Sequence, residues 1–201
     1  VIGAGFIGLE MAENLAERGV HVTVVEGASH VMPPIDMDMA HQVHNYIRAQ
    51  GIDLYLGQTC TAMDKDGVIL KDGRKIPADM VILSIGVRPD TGFLKDSGIE
   101  LGARGEILVN SYMETSAPDV YALGDAASVR HIVSGKQVLI PLASPANKQG
   151  RIVGDNLCGR KTAYKGSQGT SIMKFFGLTV AVTGEKEENL QAQGRAFCKV
   201  I

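Results

Sequence analysis

The residues best placed to do chemistry stand at the head of the chain, in Gly3-Ala4-Gly5-Phe6-Ile7-Gly8. A GxGxxG turn between an apolar strand and a helix suits a pyrophosphate. Gly3 would permit the sharp turn, Gly5 would let phosphates approach the backbone, and Gly8 would let helix and strand pack closely. The helix start behind them offers free N–H groups and the positive end of a dipole. Glu26 lies 18 residues beyond Gly8, at the end of the next apolar run. A carboxylate there accepts hydrogen bonds from an adenosine ribose. The bland alternative is a turn that only packs. Glu26 would repel a 2′-phosphate, and Gly27-Ala28-Ser29 brings no arginine to receive one. NAD(H) is therefore expected over NADP(H).

Other positions are less decided. Glu10 is either a favourable charge near a helix N-terminus or a polar contact near the nicotinamide. Phe6 and Ile7 either enter the core or line that slot. The loop Gly86-Val87-Arg88-Pro89-Asp90 follows an apolar run, and ligands of open α/β sheets bind at the carboxyl ends of strands. Gly86 is thus expected at the nicotinamide end, while Arg88 could equally be a surface ion-pair partner. Cys60, Cys158 and Cys198 form no CxxC pair and no metal-ligand cluster. They are expected as small buried hydrophobes, and so sparse an odd set suits a reducing compartment, hence the cytoplasm. No catalytic residue and no metal ligand is assigned.

The elements that must carry these residues read as α/β. A helix over 9–18 stops at Gly19, and a strand over 20–25 ends at Glu26. Asp36 is expected to cap a second helix running to about Gln50, before a short strand at 53–56. Asp66-Gly67 and Asp72-Gly73 mark antiparallel hairpins within 59–77. The run 79–85 reads as a buried parallel strand closing a doubly wound sheet. Further on come a short strand at 119–123 and a helix from Ser144-Pro145, with proline at the first helical position. Strands at 170–176 and 178–183, a helical 190–193 and a strand over 195–201 complete the pattern.

Composition narrows the class. The 20 Lys and Arg against 22 Asp and Glu give a net charge of -2, which leaves no cationic excess for nucleic acid. No apolar run approaches the roughly 18 residues that span a bilayer. No nucleic-acid or membrane partner is expected. The 45% hydrophobic fraction supports a packed core.

Taken in order, several motifs resemble those of the pyridine nucleotide-disulfide oxidoreductases, flavoproteins with FAD, NAD and interface domains. They are Gly-Ala-Gly-Phe-Ile-Gly-Leu-Glu at 3–10, Gly-Val-Arg-Pro at 86–89, Tyr-Ala-Leu-Gly-Asp at 121–125 and Pro-Leu-Ala-Ser-Pro-Ala-Asn-Lys-Gln-Gly-Arg at 141–151. The resemblance extends over essentially the whole chain and is nearest to the coenzyme A-disulfide and persulfide reductases, with the NADH oxidases and peroxidases similar in layout. It implies that Gly124 and Asp125 hold the ribityl chain of FAD. It also implies that the backbone at Pro141, Leu142 and Ala143 faces the flavin's pyrimidine edge, where a helix N-terminus stabilises negative charge on the reduced ring.

The same resemblance divides the chain into an NAD(H)-binding domain over 1–110, part of an FAD-binding domain over 111–166 and the start of an α+β interface domain over 167–201. It implies a homodimer acting on a small thiol or disulfide substrate. The first FAD motif and the redox cysteine of the family have no counterpart here, and Val1 stands where a buried strand should already be under way. The chain is therefore expected to be a fragment, catalytically incomplete by itself, with FAD belonging to the complete protein.

Overall fold

The computed structural model describes residues 1–200. In chain order its elements are α1 (Phe6–Ala16), β1 (Thr23–Glu26), α2 (Met37–Ala49), β2 (Asp53–Leu56), β3 (Cys60–Asp64), β4 (Gly67–Leu70), β5 (Lys75–Pro77), β6 (Ser128–Arg130), β7 (Gln137–Leu139), α3 (Ala143–Leu157), β8 (Ser171–Phe175), β9 (Leu178–Val182) and α4 (Glu187–Ala192). They form two compact units. One comprises Val1–Gly86, Ile172–Ala181 and the residues from Lys186 on; the other comprises Val87–Ser171 and Val182–Glu185.

The first unit has the expected α/β architecture. β1 and β2 pair in parallel over Thr23–Asp53 to Glu26–Leu56. Ile2 pairs in parallel with Val25 on one side and Leu83 on the other. The spatial order is thus β2, β1, Ile2, Leu83, or 3-2-1-4 in chain order, as in doubly wound nucleotide-binding sheets. Successive strand residues face opposite ways, and β1 shows it. Val25 joins Ile2, Val68 and Leu70 in one apolar cluster, with Ile76 and Val81 packed against it. Val24, wholly buried, faces the other side. α2 buries Ala40, Val43, His44 and Ile47, the i, i+3, i+4, i+7 stripe of a helix on a core. The antiparallel sheet β3-β4-β5 supplies the cluster on the opposite face. The layers are therefore helices, parallel sheet and antiparallel sheet.

The run 79–85 departs from expectation. It makes two backbone hydrogen bonds to Ile2, from Ile2 N–H to Ile82 O and from Ser84 N–H to Ile2 O, but forms no extended strand. Met80, Leu83 and Ile85 are exposed. An edge segment paired on one side only cannot bury both faces. α1 begins at Phe6, three residues before the expected start, and ends at Ala16. Gly19 N–H then closes onto Ala16 O and Val20 N–H onto Leu15 O, which uses up the last carbonyls.

The β8–β9 hairpin belongs mainly to this unit. Phe176 N–H donates to Glu13 Oε1 (2.6 Å), and Gly177 N–H donates to the Tyr46 hydroxyl (3.0 Å). Phe175 is fully buried and meets Tyr46 edge-on. α4 runs over Glu187–Ala192 rather than 190–193. No strand forms over 195–200, and Ile201 lies outside the described residues.

The second unit is built around Met113, Ala127, Val129, Ile140, Val153 and Tyr164. α3 turns Pro145, Gln149 and Val153 inward, one face at intervals of four. Residues 87–110 belong to it. Thr91 Oγ1 donates to Gly105 O, and Ile107 pairs with both Leu101 and Ala127. In place of the strand expected at 119–123 stands a single pairing of Tyr121 with Glu114.

Candidate functional site

In the first unit, the turn 3–8 is made by glycines of three different kinds. Gly3 has φ +101°, and a Cβ there would strike the Ser84 carbonyl oxygen, with the carbonyl carbon at 2.7 Å. A Cβ on Gly8 would run into the Gly3 carbonyl, its carbon 2.9 Å away. A Cβ on Gly5 would meet nothing within 4 Å. Two glycines are required by the fold, and the third leaves open space in front of the backbone.

Gly5 is the N-cap of α1, and no side chain caps that end. The first turn carries no acidic residue. Phe6, Ile7 and Gly8 are the first three helical residues, so their N–H groups have no intrahelical acceptor. Leu9 N–H is the first to reach back, to Gly5 O at 3.0 Å. The positive end of the helix is therefore uncompensated by the protein, which fits an anionic pyrophosphate.

Glu26 ends β1 and does two things at once. Its Oε2 accepts the Ala4 N–H (2.7 Å) and its Oε1 the Ala28 N–H (2.8 Å). A carboxylate has about four lone-pair sites, so two remain for hydroxyl donors. The position thus fits a ribose, with the carboxylate already aimed by two amides. Ala4 itself is fully buried, and its carbonyl takes the Met32 N–H at 2.9 Å. Its N–H serves Glu26 and is not offered to a phosphate. Beside Glu26, Gln58 donates its N–H to the Glu26 carbonyl, while its own side-chain oxygen is buried without a partner among the described residues.

The structure narrows some open positions. Ile7 is 56% exposed, which excludes it from the core; Phe6 is half-buried. Glu10 is exposed and lies beyond the first turn of α1, so the helix-dipole reading loses its footing. Gly86 is exposed at the end of the edge segment. Arg88 is exposed and forms no ion pair among the described residues. None of the three cysteines is buried: Cys60 is half-buried on β3, and Cys158 and Cys198 are exposed. Cys158 is the C-cap residue of α3, with its side chain in solvent.

Asp36 is the N-cap residue of α2, as expected, but does not cap it. Its carboxylate accepts the N–H groups of Glu187 (2.9 Å) and Glu188 (3.2 Å), at the start of α4. Nearby, Val31 N–H donates to His44 Nε2 (3.2 Å). Burial, with His41, Arg48 and His30 around it, lowers the His44 pKa to about 4. The ring is thus a neutral acceptor at neutral pH.

In the second unit, Gly124–Ala126 form one turn of 3-10 helix. Asp125 is exposed, and its carboxylate has no protein partner among the described residues. The turn is braced from behind: Gly124 N–H donates to Gln149 Oε1 at 2.7 Å, and Gln149 is 1% exposed. Gln149 carries no sign of this role in the sequence beyond its place in the 141–151 motif. α3 starts at Ala143, with Leu142 as N-cap, so Pro145 occupies the third helical position rather than the first. Ala143 and Ser144 precede the first intrahelical donor, Ala146, whose N–H reaches Leu142 O. Again no side chain caps the helix and no acid sits in its first turn. A free carboxylate for hydroxyls and a free helix start fit a flavin's ribityl chain and pyrimidine edge. Among the described residues no three His, Cys, Asp or Glu side chains gather as for a metal ion. No helix among them is long and apolar enough to cross a membrane.

The profile of the family described as pyridine nucleotide-disulphide oxidoreductase matches residues 1–150. Over 200 residues the chain is 37% identical to an NADH oxidase of Enterococcus faecalis, covering 96% of this chain and 45% of that protein. It is 33% identical over 192 residues to a coenzyme A disulfide reductase of Staphylococcus aureus, covering 95% and 44%. Among solved structures, reduced CoADR-RHD of Bacillus anthracis superposes with a TM-score of 0.94 at 46% identity, over 97% of this chain and 36% of that one. The chain spans less than half the length of each of these relatives.

Proposed function

The chain belongs to the pyridine nucleotide-disulphide oxidoreductase family, and from that premise we propose that it carries the NADH-binding part, and a portion of the FAD-binding part, of a reductase for coenzyme A disulfide, a persulfide or a related small disulfide. The observation that carries this reading is the turn 3–8. There an uncapped helix start, an open Gly5 and a pre-aimed Glu26 occur together. When bound, NADH supplies a hydride and FAD relays the electron pair to the acceptor.

The chain's own residues bind and orient. The N–H groups of Phe6, Ile7 and Gly8 hold the pyrophosphate, and Glu26 accepts the ribose hydroxyls. Phe6, Ile7, Glu10 and Gly86 border the nicotinamide end. Gly124 and Asp125 hold the ribityl chain, with Pro141, Leu142 and Ala143 at the pyrimidine edge. Glu26 also underlies the preference for NAD(H): a second phosphate beside a carboxylate that is already fixed is repelled. A cytoplasmic homodimer accompanies this reading, since three unpaired cysteines suit a reducing compartment and the dimer follows from the family's interface domain.

The test uses the full-length protein under anaerobic conditions. NADH bleaches its flavin absorbance, and coenzyme A disulfide restores it. An unbleached flavin sinks the proposal. The similarity to the E. faecalis NADH oxidase supports a second reading, in which oxygen is the acceptor. NADH consumption stoichiometric with oxygen, at one NADH per oxygen for peroxide or two for water, without any disulfide favours that one.

A further inference from the structure

Residues 27–36 link the nucleotide turn to a distant part of the sequence. At one end Ala28 N–H holds Glu26 Oε1, and Met32 N–H holds the Ala4 carbonyl. Met32 is fully buried with φ +52°, a left-handed conformation that persists only when its surroundings impose it. At the other end Asp36 gives both carboxylate oxygens to the N–H groups of Glu187 and Glu188. Between them the buried His30 donates from Nδ1 to Val31 O, which leaves Nε2 3.7 Å from Glu188 Oε1. Lys199 ties the same region down, bridging Asp38 (2.8 Å) and Glu187 (2.5 Å).

We infer that residues 186–199 clamp the adenosine side of the nucleotide site, with Asp36 as the positioning residue that joins this segment to the loop aiming Glu26. The inference rests on the reading of Glu26 as the ribose-binding carboxylate. An aspartate at an N-cap ordinarily serves its own helix. Asp36 leaves α2 uncapped and caps a helix 151 residues away. That helix has six residues, too few to persist without tertiary support. Loop 27–36 and segment 186–199 therefore hold each other. If the segment lets go, the loop loses its far anchor, and the amides that orient Glu26 and fix Ala4 are free to drift. Occupancy of the nucleotide site and order of the segment are then linked, and linkage works equally in both directions.

The full-length protein is titrated with NADH as wild type, Asp36→Ala and Asp36→Asn. Hydrogen exchange at the Glu187 and Glu188 amides is followed with and without NADH. Asp36→Ala is expected to raise the NADH Kd about 5- to 20-fold. Asp36→Asn keeps one oxygen acceptor and stays within about 3-fold. In the wild type, NADH slows exchange at both amides. A Kd unchanged in Asp36→Ala beside a lowered Tm makes the contact structural only and overturns the inference. Should Asp36→Ala fail to fold, the wild-type exchange decides, and rates indifferent to NADH overturn it. A wild type that does not bind NADH sinks the function proposed above instead.

Discussion

The turns at Gly3–Gly8 and at Gly124–Asp125 both place a carboxylate and a helix start at a proposed cofactor site, yet they are wired in opposite ways. In the first the carboxylate is held: Glu26 takes amides from Ala4 and Ala28 before any ligand arrives. In the second it is free: Asp125 is exposed, and only the backbone beside it is braced, by Gln149. The glycines differ likewise. Gly3 and Gly8 have protein backbone where a Cβ would go, whereas Gly124 has nothing within 4 Å. The first site is fixed by its own packing; the second has a rigid base and an uncommitted side chain. One family motif can therefore be a packing solution and another a simple presentation of a side chain.

The sharpest way to break this contrast is Gly8→Ala. Its methyl group lands on the Gly3 carbonyl, so about 3 kcal/mol of stability is lost, together with NADH binding, as read by thermal melting and titration. Next, Gly5→Val separates packing from function inside the first turn. Nothing lies near that Cβ, so the stability cost is only that of a poorer N-cap residue, about 1 kcal/mol, while NADH affinity falls about 100-fold, near 2.7 kcal/mol. Normal affinity would remove the pyrophosphate from Gly5.

The third test uses pH. His44, lowered to about 4 by burial, binds fewer protons folded than unfolded between that value and its ordinary 6.5. Stability is thus complete above pH 6.5 and is lost as pH falls through this window, by about 2 kcal/mol at pH 5 relative to pH 7. His44→Gln should flatten that slope in a melting series, and an unchanged slope would assign it elsewhere. Smallest is Gly124→Ala, where only the left-handed backbone resists, at about 1 kcal/mol. A loss as large as that of Gly8→Ala would erase the contrast.

What the sequence made legible was local. β2 at 53–56 and the hairpin turns at Asp66-Gly67 and Asp72-Gly73 follow from short-range rules, as does the spacing from Gly8 to Glu26. Most of the misplaced features depend on distant partners; the start of α1 does not. α1 starts at Phe6 because Gly5 can serve as N-cap, although the glycine pattern reads as loop. The segment 79–85 is apolar yet leaves Met80, Leu83 and Ile85 exposed, because burial depends on a neighbour for its outer edge. Asp36 has the right residue type at a helix start, but its acceptors serve amides 151 and 152 residues away. Gln149 could not be singled out by a surface motif, since its role is to support Gly124 from within the core.

The pairing of Ile2 with Ser84 has a consequence for the order of folding. Ser84 N–H donates to Ile2 O across 82 positions, while Asp64 and Gly67 meet over a two-residue turn. Closing a loop of that length costs about 2–3 kcal/mol more in chain entropy than closing one of four residues. The antiparallel sheet can therefore assemble early from its own neighbours. The wall behind Gly3, which is Ser84 itself, arrives only when the longest-range pairing of the parallel sheet closes. On loop-closure entropy the turn at Gly3–Gly8 is then completed after the antiparallel sheet. A ligand that binds only the closed turn favours the folded state by mass action, so its presence should lengthen the lifetime of the native state.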